Sequence, residues 1–366
     1  MAEIEEFQRY IAGFPSVDSP EVFGLHPNAD LTYRVKEVSA LLGTIVDTQP
    51  TDAEGGASTT AKSSGVVETR EEIIQQKIRE LLAALPSGGE ESLSEEALAQ
   101  ALRSKVLGGG LELPLNLFLC QEARALRHVL TYVRASLVKT QRALAGEVLL
   151  TSSLRETGQA IFDGKVPPSW VADEQAWLAG TLGLWVTGLI DRVTQLRAWL
   201  DRGRPSSFWL AGFSNPQGFL TAVAQESTRV HASERWALDD VVYYSEVTDY
   251  ERLEQIKQPP REGVLVHGLM LDGAAWSRPD GTLVEQEPKR LFAPLPAVYV
   301  TAATKAHKKT RAAQDHGPYG AYEAPVYRYA RRTDRHYIFS VPLASRDHRP
   351  LHWTLRGVAL LCSTDQ

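Results

Sequence analysis

The sequence predicts an α+β protein in which a helical half precedes a small antiparallel β-barrel of about six strands. Apolar residues recur at three- and four-residue spacing in successive tracts up to about residue 231. From Trp236 onward the pattern changes to short β-branched and aromatic runs separated by turns. At 366 residues the chain is too long for one small domain and suits two or three, with ample material for buried cores.

In sequence order, Phe7, Tyr10, Ile11 and Phe14 mark a short amphipathic piece closed by Gly13 and Pro15. After a turn-rich stretch, Asp30 or Thr32 is placed to cap a helix reaching Val46. Residues 51–64 are mostly Gly, Ser, Thr and Ala, without a large apolar side chain to offset the entropy of ordering, so a flexible loop is expected over 51–67. Thr69 and Glu72 have capping-box spacing and restart helical structure. Helices follow over 94–106, 114–145 and 152–162, and in the longest of them Leu115, Leu119, Leu126, Val129, Leu130, Val133 and Leu137 share a face.

Pro167-Pro168 interrupts this pattern, and a stripe through Leu178, Leu182, Trp185, Leu189, Val193, Leu196 and Leu200 resumes it. Gly203 stops that helix and Pro205 prevents its continuation. The run 208–213 crosses like a strand, after which Asn215 caps the next helix and Pro216 occupies a first-turn position that loses no bond. Strands are expected within 241–244, 263–271, 297–301, 324–329, 336–342 and 353–362, with Asp272-Gly273 and Asp280-Gly281 as the sharpest turns. Of eight tryptophans, Trp170, Trp177, Trp185, Trp199, Trp209 and Trp236 fall near the helix-to-strand boundary, where they are expected to pack the two halves together.

Chemistry-bearing motifs are sparse. A net charge of −6 offers no whole-chain attraction to nucleic acid or to an anionic membrane, and the apolar runs fall short of the roughly 20 residues a membrane span needs. Cys120 and Cys362 lie far apart without a paired framework, and the start Met1-Ala-Glu-Ile-Glu-Glu is acidic rather than signal-like, so a reduced intracellular compartment is expected. The segment from Gly158 to Lys165 resembles a phosphate loop, but five residues separate its glycines and Val166 replaces the magnesium-binding hydroxyl residue. Gly212-Phe-Ser-Asn-Pro216 resembles a nucleophile elbow, with Asp239, Asp240 and His267 downstream. That pattern supports an alternative reading as a free-standing hydrolase using Ser214, against which stands proline at the elbow's last position. His26, His128, His231 and His267 lack ligand spacing with one another, and Cys120 occupies an apolar helical position, so no metal site is expected. Four cations between Lys305 and Arg311, then Arg331, Arg332 and Arg335, form a basic region whose 305–320 loop is expected to be solvated and mobile unless it meets an acidic protein surface.

The phrase Arg197-Ala-Trp-Leu-Asp-Arg-Gly-Arg-Pro-Ser-Ser-Phe-Trp-Leu-Ala-Gly-Phe-Ser-Asn-Pro-Gln-Gly-Phe-Leu-Thr-Ala222 resembles the C-terminal region of dynein heavy chains, most closely the axonemal ones. Phe23-Gly-Leu-His-Pro-Asn-Ala-Asp30, Glu68-Thr-Arg-Glu71, Pro114-Leu-Asn-Leu-Phe-Leu-Cys-Gln-Glu122, Trp236-Ala-Leu-Asp-Asp240 and His352-Trp-Thr-Leu-Arg-Gly-Val-Ala-Leu-Leu-Cys362 resemble the same family's words in the same order. The resemblance implies that 1–50 is the helical, lid-like end of the sixth AAA+ module. It likewise makes 68–235 the helical part of the dynein C-terminal domain, and 236–366 its barrel.

The implied role is non-catalytic: a regulatory and structural module that packs on the AAA+ ring of its own heavy chain and modulates motor output in ciliary beating. Other dynein subunits are implied partners and microtubules indirect ones, with no nucleic acid or membrane. ATP and magnesium belong to the parent motor and no catalytic, cofactor or metal residue to this chain. The implied location is the cytoplasm and the axoneme of a cilium or flagellum, with a lean towards the outer arm. Cys120, where a basic residue is common, and the long 305–320 loop depart from the family pattern.

Overall fold

The computed structural model describes residues 2–13, 18–47, 69–172, 176–250, 252–306 and 319–364. The expected flexible loop at 51–67, the Phe14-Pro15 stop and residues 307–318 of the basic loop lie outside the described residues.

Ten α-helices are described: α1 (Ala2–Ala12), α2 (Asn28–Asp47), α3 (Arg70–Ala84), α4 (Gly89–Ser92), α5 (Glu95–Arg103), α6 (Pro114–Leu144), α7 (Ser152–Phe162), α8 (Leu182–Arg202), α9 (Pro216–Val230) and α10 (Pro350–Leu355). Their starts follow capping chemistry. Thr69 and Glu72 form the expected capping box, and Ser94, Thr151, Thr181 and Asn215 each accept an amide of the first turn. Two starts differ from expectation. Helix α2 begins at Asn28, before Asp30, because His26 Nδ1 takes the Asn28 amide. Helix α8 begins at Leu182 because Thr181 caps it, while the Leu178 amide donates to the Tyr329 hydroxyl instead.

The strands are β1 (Phe208–Trp209), β2 (Val241–Val247), β3 (Val264–His267), β4 (Met270–Asp272), β5 (Ala275–Ser277), β6 (Thr282–Val284), β7 (Phe292–Pro294), β8 (Val298–Thr304), β9 (Ala321–Tyr327), β10 (Tyr337–Ala344) and β11 (Ala359–Leu361). They form sheets ordered β1-β3-β8-β2 and β10-β9-β11-β4-β7, with β5-β6 as a separate pair.

The expected six-stranded barrel is therefore corrected to open sheets of more numerous, shorter strands. The edges of β2 and β10 approach each other, but among the described residues they share a side-chain bond, Ser245 Oγ to the Ser340 carbonyl, and no ladder. Pro342 in β10 removes one amide from that edge strand, a position where proline is tolerated because no ladder needs it. The strand-like crossing expected at 208–213 is present over its first two residues as β1, which pairs in parallel with β3 and so ties the helical half to the sheet.

Helices and sheets share one core. Its buried apolar side chains run without interruption from Ile74 and Ile78 of α3, through α6 and α8, to Val300, Val326 and Leu360 of the sheets. Helix α9 covers the β2–β8 face, where Ser227 Oγ and Thr301 Oγ1 lie 3.1 Å apart in the buried contact. Of the six tryptophans expected at the boundary, Trp170, Trp177, Trp185 and Trp199 are almost fully buried, with Trp177 stacked on Trp185 at 4.6 Å between centroids; Trp209 is half-buried against the core, and Trp236 stacks on His231 outside it.

Candidate functional site

The 197–222 phrase folds as a joint between the two halves. Gly203 takes φ 83° after α8, and a Cβ there would lie 2.9 Å from the Val106 carbonyl oxygen, so no other residue fits without rearrangement. The chain then adds β1 to the sheet and turns through Gly212, where a Cβ would meet Trp209 Cε3 at 2.6 Å and Gln195 Nε2 at 2.7 Å. Phe208, Phe213 and Phe219 close on one another and on Phe118 and Trp199, with the nearest centroids 4.8–5.4 Å apart. Phe208, Phe213 and Phe219 are thus core residues joining α6, α8 and α9.

Beneath this aromatic cluster lies a buried polar network organised by Glu122 of α6, which is 5% exposed. Its carboxylate accepts the Ser214 amide at 2.7 Å, the Ser214 hydroxyl at 2.8 Å and the Asn215 amide at 3.0 Å. Burial nonetheless pushes the Glu122 carboxyl above its ordinary range, outweighing the lowering by these bonds and by Arg328. Arg328, just after β9, donates Nη1 to the Ser214 carbonyl at 2.9 Å.

Arg192 of α8 lies alongside, with its guanidinium carbon 4.0 Å from the Trp177 ring centroid and 5.1 Å from that of Trp209. It donates to the Gly188 carbonyl at 2.9 Å and to the Ala211 carbonyl at 2.7 Å. Burial lowers its pKa to about 9, which still leaves it charged at neutral pH. A cleft of about 200 Å³ opens beside it, lined by Arg192, Arg328, Trp177, Trp209 and Tyr329 among others.

This geometry opposes the hydrolase alternative. The Ser214 hydroxyl is donated to a carboxylate that also holds two backbone amides, so Glu122 fastens the turn around Ser214. His267 sits on β3 across from Trp209; its Nδ1 is buried without a hydrogen-bond partner, and burial lowers its pKa to about 4. Asp239 and Asp240 are exposed in a short turn. Among the described hydrogen bonds, none brings these three residues to Ser214 as a triad would require.

The phosphate-loop resemblance dissolves in the same way. Gly158 lies inside α7 against Thr140 and Ile74, and the amides of Asp163, Gly164 and Lys165 are donated to Gln159, Ile161 and Ala160 carbonyls. A helix C-terminus with its amides already used offers nothing to a phosphate. Cys120 and Cys362 are buried thiols whose pKa values burial raises, that of Cys362 to about 12.

A second junction joins the start of α2 to the sheets. The Asn28 side chain donates to the carbonyls of Glu287 at 3.1 Å and Arg290 at 2.9 Å, and accepts the Lys289 amide at 2.7 Å. His26 Nε2 lies 2.9 Å from the Gln286 carbonyl oxygen. One asparagine thus clasps the 286–290 turn, in which Lys289 takes φ 68°. Beyond this clasp, α1 leaves Phe7, Tyr10 and Ile11 exposed, and α2 leaves Tyr33, Val35, Val38, Leu41, Leu42 and Ile45 exposed, each by 46–67%.

The sequence signals behind these contacts differ. His26 and Asn28 lie within the quoted 23–30 phrase, and Glu122 ends the quoted 114–122 phrase, yet neither phrase names their partners. Arg192 belongs to no motif, and its signal is a charge beside the apolar stripe of α8. Glu122 and Arg192 are both charges among apolar neighbours, and a buried charge in such a setting demands a partner.

Comparison with known proteins agrees with the quoted phrases. The family model described as the C-terminal domain of the dynein heavy chain matches residues 35–362. The protein is 38% identical over 359 residues to dynein axonemal heavy chain 5 of Mus musculus and to dynein axonemal heavy chain 8 of Homo sapiens, covering 98% of this chain and 7% of each relative. It is also 38% identical over 365 residues to the flagellar outer-arm dynein gamma chain of Chlamydomonas reinhardtii, covering 99% of this chain and 8% of that protein. The chain spans less than a tenth of the length of these curated relatives. With the phrases, the joint they build and the family match in agreement, the chain belongs to the family of C-terminal domains of dynein heavy chains, of the axonemal kind.

Proposed function

We propose that this chain is a non-catalytic regulatory and structural module that packs on the AAA+ ring of an axonemal dynein heavy chain and modulates its output in ciliary beating. The observation that carries this reading is the exposed apolar face of α2, displayed beside a specific clasp to the 286–290 turn. Six large apolar side chains on one helix are costly to leave in water, each representing about 1.5–3 kcal/mol on full burial, and a ring module is a partner of fitting size. Residues 1–50 then act as the lid-like end of the sixth AAA+ module, and the Asn28 clasp transmits its position to the sheets.

The working location is the axoneme of a cilium or flagellum, and the outer arm is the favoured subtype given the Chlamydomonas reinhardtii relative. ATP, magnesium and the direct microtubule contact belong to other parts of the heavy chain, and other dynein subunits meet the assembled motor. Cross-linking from a cysteine placed at Leu41 in an intact heavy chain tests the packing. Cross-links to the neighbouring ring module are expected; their absence in a folded, active motor would overturn the proposal. ATPase and esterase assays on the 366-residue protein test the rest, since turnover abolished by Ser214→Ala would restore the hydrolase reading.

A further inference from the structure

Away from the joint, three ligand-type side chains lie together: Glu285, immediately after β6, His348 in the loop after β10, and His352 on α10. Their ligand atoms all lie within 4.8 Å of one another, and among the described residues no other such group of three occurs. His352 Nε2 is hydrogen-bonded to Glu285 Oε1 at 2.9 Å, a contact whose proton a metal ion would displace, and His348 Nε2 is 3.6 Å from the same oxygen. A tetrahedral zinc ion with bonds of about 2.0–2.1 Å places its ligand atoms about 3.3 Å apart, which these two separations bracket.

The support around the three is well built. Arg356 Nη1 lies 2.8 Å from the other Glu285 oxygen, Oε2, as an ion pair, while Oε1 faces the imidazoles. Both rings rest edge-on against the fully buried Trp353, at 4.9 Å for His352 and 5.5 Å for His348. Trp353 Nε1 donates to Ser345 Oγ, whose hydroxyl donates to the His348 carbonyl, so the loop carrying His348 is tied to the helix carrying His352.

We infer that Glu285, His348 and His352 form a site for a divalent transition-metal ion, zinc by its donor set, with water completing the coordination. Two imidazoles and one carboxylate suit zinc rather than the all-oxygen shells of calcium or magnesium. The two rings stack with centroids 4.0 Å apart, so binding requires them to splay until each Nε2 lone pair points at the ion. Their partial exposure, 39% for His348 and 30% for His352, leaves room for that rotation. Glu285 directly precedes Gln286, whose carbonyl lies against His26, so the ion would also brace the turn that Asn28 clasps.

Isothermal titration of the 366-residue protein with zinc is expected to show one saturable site, and cobalt substitution the visible absorption of a near-tetrahedral centre. Glu285→Gln and His348→Ala are each expected to weaken zinc binding at least about tenfold, as loss of even an outer-shell partner does. Zinc is expected to raise the melting temperature of the wild-type protein but not that of the variants, and magnesium to raise neither. Circular dichroism checks folding, and His352→Gln replaces any variant that fails it. No saturable binding, or binding unchanged in folded Glu285→Gln and His348→Ala, overturns the site. Amide exchange across 286–290 that zinc does not slow overturns the brace.

Discussion

At the residue scale, Glu122 accepts three hydrogen bonds while burial disfavours its charge. Glutamine keeps the shape but turns an NH₂ towards a donor from Ser214 or Asn215. Glu122→Gln is therefore expected to destabilise the protein by about 1–3 kcal/mol in urea unfolding at neutral pH, the cost of one buried donor left unpaired. Because its folded pKa is raised, Glu122 contributes stability below the ordinary carboxylate range, and that contribution is lost as pH rises through the raised value.

His267 has the opposite sign. Burial lowers its pKa from 6.5 to about 4, so its contribution is complete above pH 6.5 and is lost as pH falls towards about 4. That window is worth roughly 3 kcal/mol for a shift of this size. His267→Gln is expected to flatten this limb of the pH–stability curve, and superimposable curves for the two proteins between pH 6.5 and 4 would contradict the assignment.

At the scale of elements, capping and glycine chemistry decide where helices stop and start. Gly212→Ala places a methyl group against Trp209 and Gln195, so β1 must shift or the α8–α9 connection must open. A loss of about 1–3 kcal/mol in thermal or denaturant unfolding is expected, the usual range for overpacking. Much of this was legible: the Thr69 capping box, the Asn215-Pro216 start and the Gly203 stop stand as their residue types indicate. The start of α2 was not, because the cap is a histidine ring nitrogen whose orientation depends on the distant 286–290 turn. Nor was Glu122's partnership with Ser214, since 92 residues separate the two and only folding brings α6 under the turn.

For the whole molecule, one continuous core joins helices to sheets, while α2 is tied to the sheets by the polar clasp at its start, and α1 and α2 leave apolar side chains outside. Val38→Glu with Leu41→Glu is expected to leave the isolated protein's own unfolding free energy within about 0.5 kcal/mol per site, as surface substitutions do. In an intact heavy chain the same pair is expected to weaken packing on the ring, seen as greater protease sensitivity between this module and its neighbour. A matching loss of stability in the isolated protein would show instead that the face is covered from within.

The sequence by itself determined the α+β class, most helix limits, the family phrases and the structural character of the 197–222 segment. Those features depend on periodicity, caps and glycine or proline backbone limits, all acting over a few residues. Only the tertiary structure decided that the sheets stay open, that Glu122 and Arg192 find their partners, that Glu285 meets His348 and His352, and that α2 keeps an uncovered apolar face. Edge pairing, burial of charge and convergence of side groups depend on distances between residues far apart in the sequence, which local patterns do not encode.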